Sequence, residues 1–336
     1  MRFRGIAAMG DFWKVVREFN PEGIEREATA PIDLCVIGEA ESGKRSLVNA
    51  LLGPSNNDNL GPFEIVELDS TPTRWAHING SDLIVLVVRL DQDLQETGRR
   101  LSQLFGRVKT PIILVFTHAD QIPDTRDLRN AAFKAFSFVS HLRMAFVDAT
   151  DATDVQQKLV PMLLETIPDF RTSLARKVPA ARRIVADQIV AETCRVNAQF
   201  AFAANLPANI PFFGSVAGSV ADFFVLTKNQ VMMVLRLAAI YGRDISPTLQ
   251  VAAEMSPVIG GGLVWRTAAR LAVGLLPTFL AVAPKMTIAY VGTYIAGEAA
   301  RYYYEQGQKP PKQLLESFGA EGARLYRHMI SRGSGE

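Results

Sequence analysis

The residues best suited to chemistry lie at positions 38–47, which read Gly-Glu-Ala-Glu-Ser-Gly-Lys-Arg-Ser-Leu. The spacing is G-x-x-x-x-G-K, and the apolar run 32–37 leads straight into it. Glycines at both ends let backbone N–H groups curl around phosphate oxygens, and a helix starting there adds the positive end of its dipole. Gly38, Glu39, Ala40, Glu41, Ser42 and Gly43 form the candidate cradle, and the Lys44 ammonium is a point charge for the outer phosphates. A phosphate loop usually places Ser or Thr directly after the lysine to hold Mg²⁺. Here Arg45 stands at that position and Ser46 one later. A guanidinium offers donors and no acceptor, so it cannot ligate a metal. Three expectations follow: a remodelled loop, weak Mg²⁺ binding, or an Arg45 charge standing near the place of the metal.

Such a loop needs a strand to deliver it and a helix to receive it. Short apolar runs at 32–37, 63–68, 83–88, 112–116 and 144–147 alternate with helix-like stretches at 43–52, 94–105, 125–141 and 155–166. That alternation predicts an α/β domain over 31–170, a doubly wound, mostly parallel and shortened sheet covered on both faces. Beyond Phe170 no strand-like alternation remains. Helices punctuated by Pro and Gly, at about 179–204, 216–241, 248–256, 262–282, 286–306 and 311–331, predict an all-α domain over 171–336. Ahead of the α/β region, residues 11–19 place Phe12, Trp13, Val15, Val16 and Phe19 on one helical face. Residues 1–30 are therefore expected to hold a helix that docks on the next domain or lies on a membrane surface.

The run Leu47-Val48-Asn49-Ala50-Leu51-Leu52-Gly53 resembles the LxNxLLG stretch of Era-like bacterial GTPases, and the likeness to their P-loop domain covers about 31–150. The resemblance implies bound GTP or GDP. Thr117, His118 and Asp120 (THAD) match that family's base-reading motif, in which Asp120 would accept from the ring N–H and amino group of guanine. His118 replaces a lysine there; an imidazole is able to stack on the base but carries little charge near neutral pH. A helix cap or turn role for Asp120 stays open. Ala149 stands where the family's short third base loop would lie. Asp69, in a segment resembling DTPG, takes the magnesium second-shell position, with Ser46 as a further candidate contact to the metal. No glycine follows Asp69-Ser70-Thr71-Pro72, and only 25 positions separate Lys44 from Asp69, without a threonine-bearing first switch. No catalytic residue is identified. The motifs favour a nucleotide-dependent switch or scaffold with weak or absent hydrolysis. Two other readings stand beside it: a slow GTPase completed by dimerisation or a partner, and a membrane-remodelling protein with a vestigial G domain.

Of 336 residues, 48% are hydrophobic and 21% charged, and mean hydropathy is +0.10, which excludes a disordered or collagen-like chain. Cys35 and Cys194 lie far apart in no metal spacing, and His77, His118, His141 and His328 form no ligand pattern either. Cys35 reads as a small buried hydrophobe; Cys194, beside Arg195, is either packed or reactive. Without a secretory signal, a cytoplasmic place at or in the inner face of the membrane is expected. Residues 1–170 carry 18 Lys and Arg against 24 Asp and Glu, whereas residues 171–336 carry 18 against 10. A basic, apolar half with scattered charges points to an anionic membrane surface rather than nucleic acid. Its uncharged runs, 196–221, 271–284 and 286–297, give no clean span of the roughly 20 apolar residues a bilayer needs. The order Pro207, Pro211-Phe212-Phe213, Asp222, Gln230, Tyr241-Gly242, then Pro277, Thr293-Tyr294 and Gly297 through Glu305 resembles an uncharacterised helical family found behind Era-like GTPase domains. That resemblance implies membrane proximity, and a homodimer or protein partner completes the expected partners. Tyr302, Tyr303 and Tyr304 are either core and surface tyrosines or an interfacial anchor.

Overall fold

The computed structural model describes residues 21–53, 60–68, 78, 80–105, 108–120, 122, 125–139, 141–203, 219–246, 251 and 278–333. The expected helix at 11–19, Asp69, His77 and most of the expected helices at 248–256 and 262–282 lie outside the described residues. By its internal contacts the chain divides into two compact units, one spanning Glu27–Ile184 and the other taking in Val185–Glu336 with the segment up to Arg26.

The Glu27–Ile184 unit is an α/β domain of the P-loop NTPase class. Five strands, β1 (Leu34–Gly38), β2 (Phe63–Glu67), β3 (Leu83–Arg89), β4 (Ile112–Thr117) and β5 (Arg143–Phe146), pair in parallel in the order β2-β1-β3-β4-β5. The interior strands β1 and β4 are buried at every residue, as a sheet covered on both faces requires, while edge strand β2 is buried only at Phe63 and Val66. α1 (Glu22–Thr29) precedes β1. The crossover helices are α2 (Lys44–Leu52), α3 (Leu94–Phe105), α4 (Arg126–Ala135) and α5 (Ala152–Thr166). Chain order places β2 on one side of β1 and β3 on the other, so the topology reverses between β1 and β3. A crevice opens at the carboxyl ends of strands at such a switch point. The expected helix at 125–141 is shorter in the structure: α4 stops at Ala135, where Phe136 turns inward, fully buried, and packs edge-on against Phe116 with ring centroids 5.4 Å apart. The unit continues past Phe170 into α6 (Arg171–Lys177), whose Ser173 Oγ and Lys177 Nζ both donate to the Ala30 carbonyl at 2.5 and 3.2 Å.

The second unit contains α7 (Pro179–Ala203) from Val185 onward, α8 (Ser219–Ile240), α9 (Thr278–Gln306) and α10 (Lys312–Gly333). Among the described residues it has no strand, and no helix is long and apolar enough to cross a membrane. α9 is longer than the expected 286–306, running from Thr278 to Gln306. A buried polar network ties three helices. Asn197 donates to Thr293 Oγ1 at 2.9 Å and accepts from Asn229 at 2.8 Å, and Gln230 also reaches Thr293 Oγ1. Cys194 is fully buried among these helices, in keeping with a packing role.

α3 and α4 touch through Gly98, where a Cβ would stand 2.3 Å from the Ala135 carbonyl oxygen. That oxygen is backbone and has nowhere to retreat. Gly98→Ala is therefore expected to destabilise the α/β unit by about 1–3 kcal/mol, read as a lowered urea midpoint.

Candidate functional site

The phosphate-loop residues gather at the switch-point crevice. β1 ends at Gly38 in a place only glycine fits: a Cβ there would lie 2.5 Å from both Val87 O and Ser42 Oγ. The chain then turns, with Ser42 N donating to Glu39 O at 3.2 Å and Glu41 and Gly43 both left-handed at φ 59° and 82°. α2 starts at Lys44, and Leu47 N donates to Gly43 O at 2.9 Å. Gly43 supplies the helix cap without a capping side chain, so the first-turn N–H groups face the crevice. Ser42 is 1% exposed and its Oγ has no hydrogen-bond partner among the described residues.

Lys44 is buried as well. Its Nζ donates to the Glu39 carbonyl and lies 4.0 Å from Glu67 Oε1, at the end of β2. Burial pushes its amine below the usual lysine range, and the Glu67 carboxylate opposes that shift. Two further residues that the sequence did not single out hold the loop. Glu39 pairs with Arg100 of α3 and accepts from Gln92 at 3.1 Å. Arg89, the last residue of β3, forks onto Asp91 at 3.0 and 2.7 Å and stands 4.0 Å from Glu41. The guanidinium contact holds the Asp91 carboxyl below its usual range. Ala40, Arg45 and Ser46 are exposed.

Thr117 ends β4, fully buried, and its Oγ1 donates to Ser42 O at 2.9 Å. A Cβ on Gly43 would lie 3.4 Å from Thr117 and 3.6 Å from Ala149, so three loops from three strands converge on one glycine. His118 adopts a left-handed φ of 61°, and its Nδ1 lies 3.2 Å from Thr117 Oγ1. Asp120 is exposed in the turn after β4. It does not cap α4, because that role belongs to Thr125, whose side chain accepts from Leu128 N. The third loop is braced by Asp148, which accepts from Thr150 N and Oγ1 at 2.8 and 2.6 Å; these bonds hold its carboxyl low. Cys35, under the loop in β1, has its thiol pushed up to about 12 by burial, as an inert packing residue would.

Part of the chain is similar to a GTPase. The protein named GTPase Der from Nitratidesulfovibrio vulgaris (strain Hildenborough) is 23% identical over 181 residues, covering 43% of this chain and 36% of that protein. The chain thus spans well under half the length of that curated relative. No family model matches the chain.

The residues present do not fit the usual magnesium coordination. Arg45 holds the position of the metal-binding hydroxyl with donors only. No group of three or more His, Cys, Asp or Glu among the described residues is disposed to hold a metal. The signals for Glu67, Arg89 and Arg100 were present in the sequence only as charges, two at strand ends and one in a helix, with nothing to say that they would converge.

The Thr117 hydroxyl joins two loops across the sheet. Thr117→Val should leave Ser42 O unpaired at a cost of about 1 kcal/mol, and the amides of residues 39–44 should exchange faster by hydrogen–deuterium mass spectrometry.

Proposed function

We propose that this protein binds a guanine nucleotide and acts as a nucleotide-dependent switch or scaffold, with weak or absent hydrolysis. The observation that carries the proposal is the Thr117 Oγ1 bond to Ser42 O, which brings the THAD turn and the phosphate loop to one crevice. In this reading Gly38 through Ser46 cradle the phosphates, Lys44 swings from Glu39 O to phosphate oxygens, and Ala149 closes the third side. Asp120, exposed in its turn, accepts the ring N–H and amino group of guanine, and His118 stacks on the base. Adenine offers neither donor in that place.

Hydrolysis needs a metal, a positioned water and ordered switches. Arg45 in place of the hydroxyl supports binding that depends little on Mg²⁺. Asp69, the other metal candidate, lies outside the described residues. The second reading, a slow GTPase completed by a second copy or a partner, is supported by the likeness to GTPase Der.

The helical unit is proposed to sit against an anionic membrane surface. Supporting this are the basic balance beyond residue 171 and the exposed Lys312, Arg324 and Arg327 of α10, whose Phe318 and Tyr326 are buried. Each basic residue near an anionic surface adds up to about 1 kcal/mol of attraction, which salt weakens.

Lys44→Ala should weaken guanine-nucleotide binding by about 10- to 100-fold, the loss of a charge-assisted contact. Asp120→Asn should shift preference from guanine towards xanthine, which presents a carbonyl where guanine has an amino group. Isothermal titration checks both, and equal affinity of the wild type for GTP and ATP would contradict the base-reading assignment. For the membrane, full-length protein should float with anionic vesicles and less so in high salt; protein that stays at the bottom with anionic and neutral lipid alike would contradict it.

A further inference from the structure

Three cations around the phosphate loop, Arg100, Arg89 and Lys44, face carboxylates. Arg100 is paired with Glu39, and Arg89 with Asp91 and, more distantly, Glu41. Lys44, the buried one, has Glu67 Oε1 4.0 Å from its Nζ. Glu67 holds that place by strand register: it pairs with Gly38, the residue that opens the loop, so β2 delivers its last side chain to the crevice mouth. Its side chain is 62% exposed, against 6% for Lys44, so it looks into the mouth rather than the core.

A phosphate-loop lysine serves the outer phosphates. A triphosphate brings one more phosphoryl group, and a further negative charge, to the same amine. Elsewhere that charge is met by a metal held by the hydroxyl after the lysine, and here Arg45 takes its position. The terminal phosphate would then share Lys44 with the Glu67 carboxylate, and two like charges gathered on one amine repel. A diphosphate leaves the outermost position empty and lets the Lys44–Glu67 pair persist.

We propose that Glu67 is a specificity-determining residue that makes the site select nucleoside diphosphate over triphosphate. The inference rests on the guanine-nucleotide reading and adds to it which phosphorylation state is held. A site selective in this way reports on the diphosphate product of hydrolysis carried out elsewhere, in place of cycling through hydrolysis itself.

The test is isothermal titration of the full-length protein with GDP and with GTP, each with and without Mg²⁺, for wild type, Glu67→Gln and Glu64→Gln. Glu64 lies on the same strand and is exposed, so its variant removes one charge without touching Lys44. The expected result is at least about tenfold tighter binding of GDP by the wild type. Glu67→Gln should narrow that ratio at least about threefold by tightening GTP, with Glu64→Gln like wild type. GTP bound as tightly as GDP, a ratio unmoved by Glu67→Gln, or an equal change in both variants would overturn the inference while leaving nucleotide binding intact. No binding of either nucleotide would overturn the nucleotide reading itself, and this inference with it. The wild-type ratio alone decides the first point, whatever the variants do.

Discussion

A phosphate loop is a stretch of backbone held open against its own tendency to close, and here one hydroxyl does much of the holding. β1 and β4 are not neighbours; β3 lies between them. Thr117 reaches across that gap, donating to Ser42 O at 2.9 Å with Val88 O at 3.4 Å on the same side. Because Thr117 is fully buried, the bond is shielded from competing water, and losing it would strand a buried carbonyl. Gly43 serves the turn through its left-handed φ of 82°, a conformation that favours glycine, while a Cβ there would meet Thr117 and Ala149 only at ordinary contact distances of 3.4 and 3.6 Å. The turn carrying His118 and Asp120 therefore moves with the phosphate loop.

Charge is the second constraint. Ordinary phosphate loops present net positive charge, but this one carries Glu39 and Glu41 within it and Glu67 at its mouth. Glu39 is met by Arg100 of α3, Glu41 more distantly by Arg89 of β3, and Glu67 by the loop's own Lys44. Burial lowers the Lys44 amine from its usual range, and the Glu67 carboxylate nearby works against that shift. A loop of this kind is poorly disposed to gather a highly charged triphosphate without metal help. Arg45, with donors only, stands where a phosphate loop usually has its metal-binding hydroxyl.

The sheet was largely legible because parallel strands buried on both faces read as unbroken apolar runs, and all five lay within a residue or two of their expected places. The helix over 94–105 matched at both ends, since its periodicity is strong and Asp93 caps its start, accepting from Gln95 N and Glu96 N. The helix from 125 was overrun because Phe136, Phe138 and Val139 continue an apolar pattern that the chain spends on an inward turn. At the site, glycines and the lysine were visible because their roles are local. The pairing of Glu67 with Lys44 was not, because it depends on which residue of β2 falls opposite Gly38, a register no local pattern states. Arg100 was hidden for a similar reason: it meets Glu39 from a helix, 61 positions away in sequence.

The central claim is that phosphate loop and THAD turn form a single site for a guanine nucleotide. It is tested most directly by titrating the full-length wild-type protein with GDP and, separately, with ADP, which differ only in the base. The account predicts saturable one-site binding of GDP and at least about tenfold weaker binding of ADP, the loss expected when the Asp120 carboxylate is left without the two guanine donors. Equal binding of the two, or none of either, would contradict it.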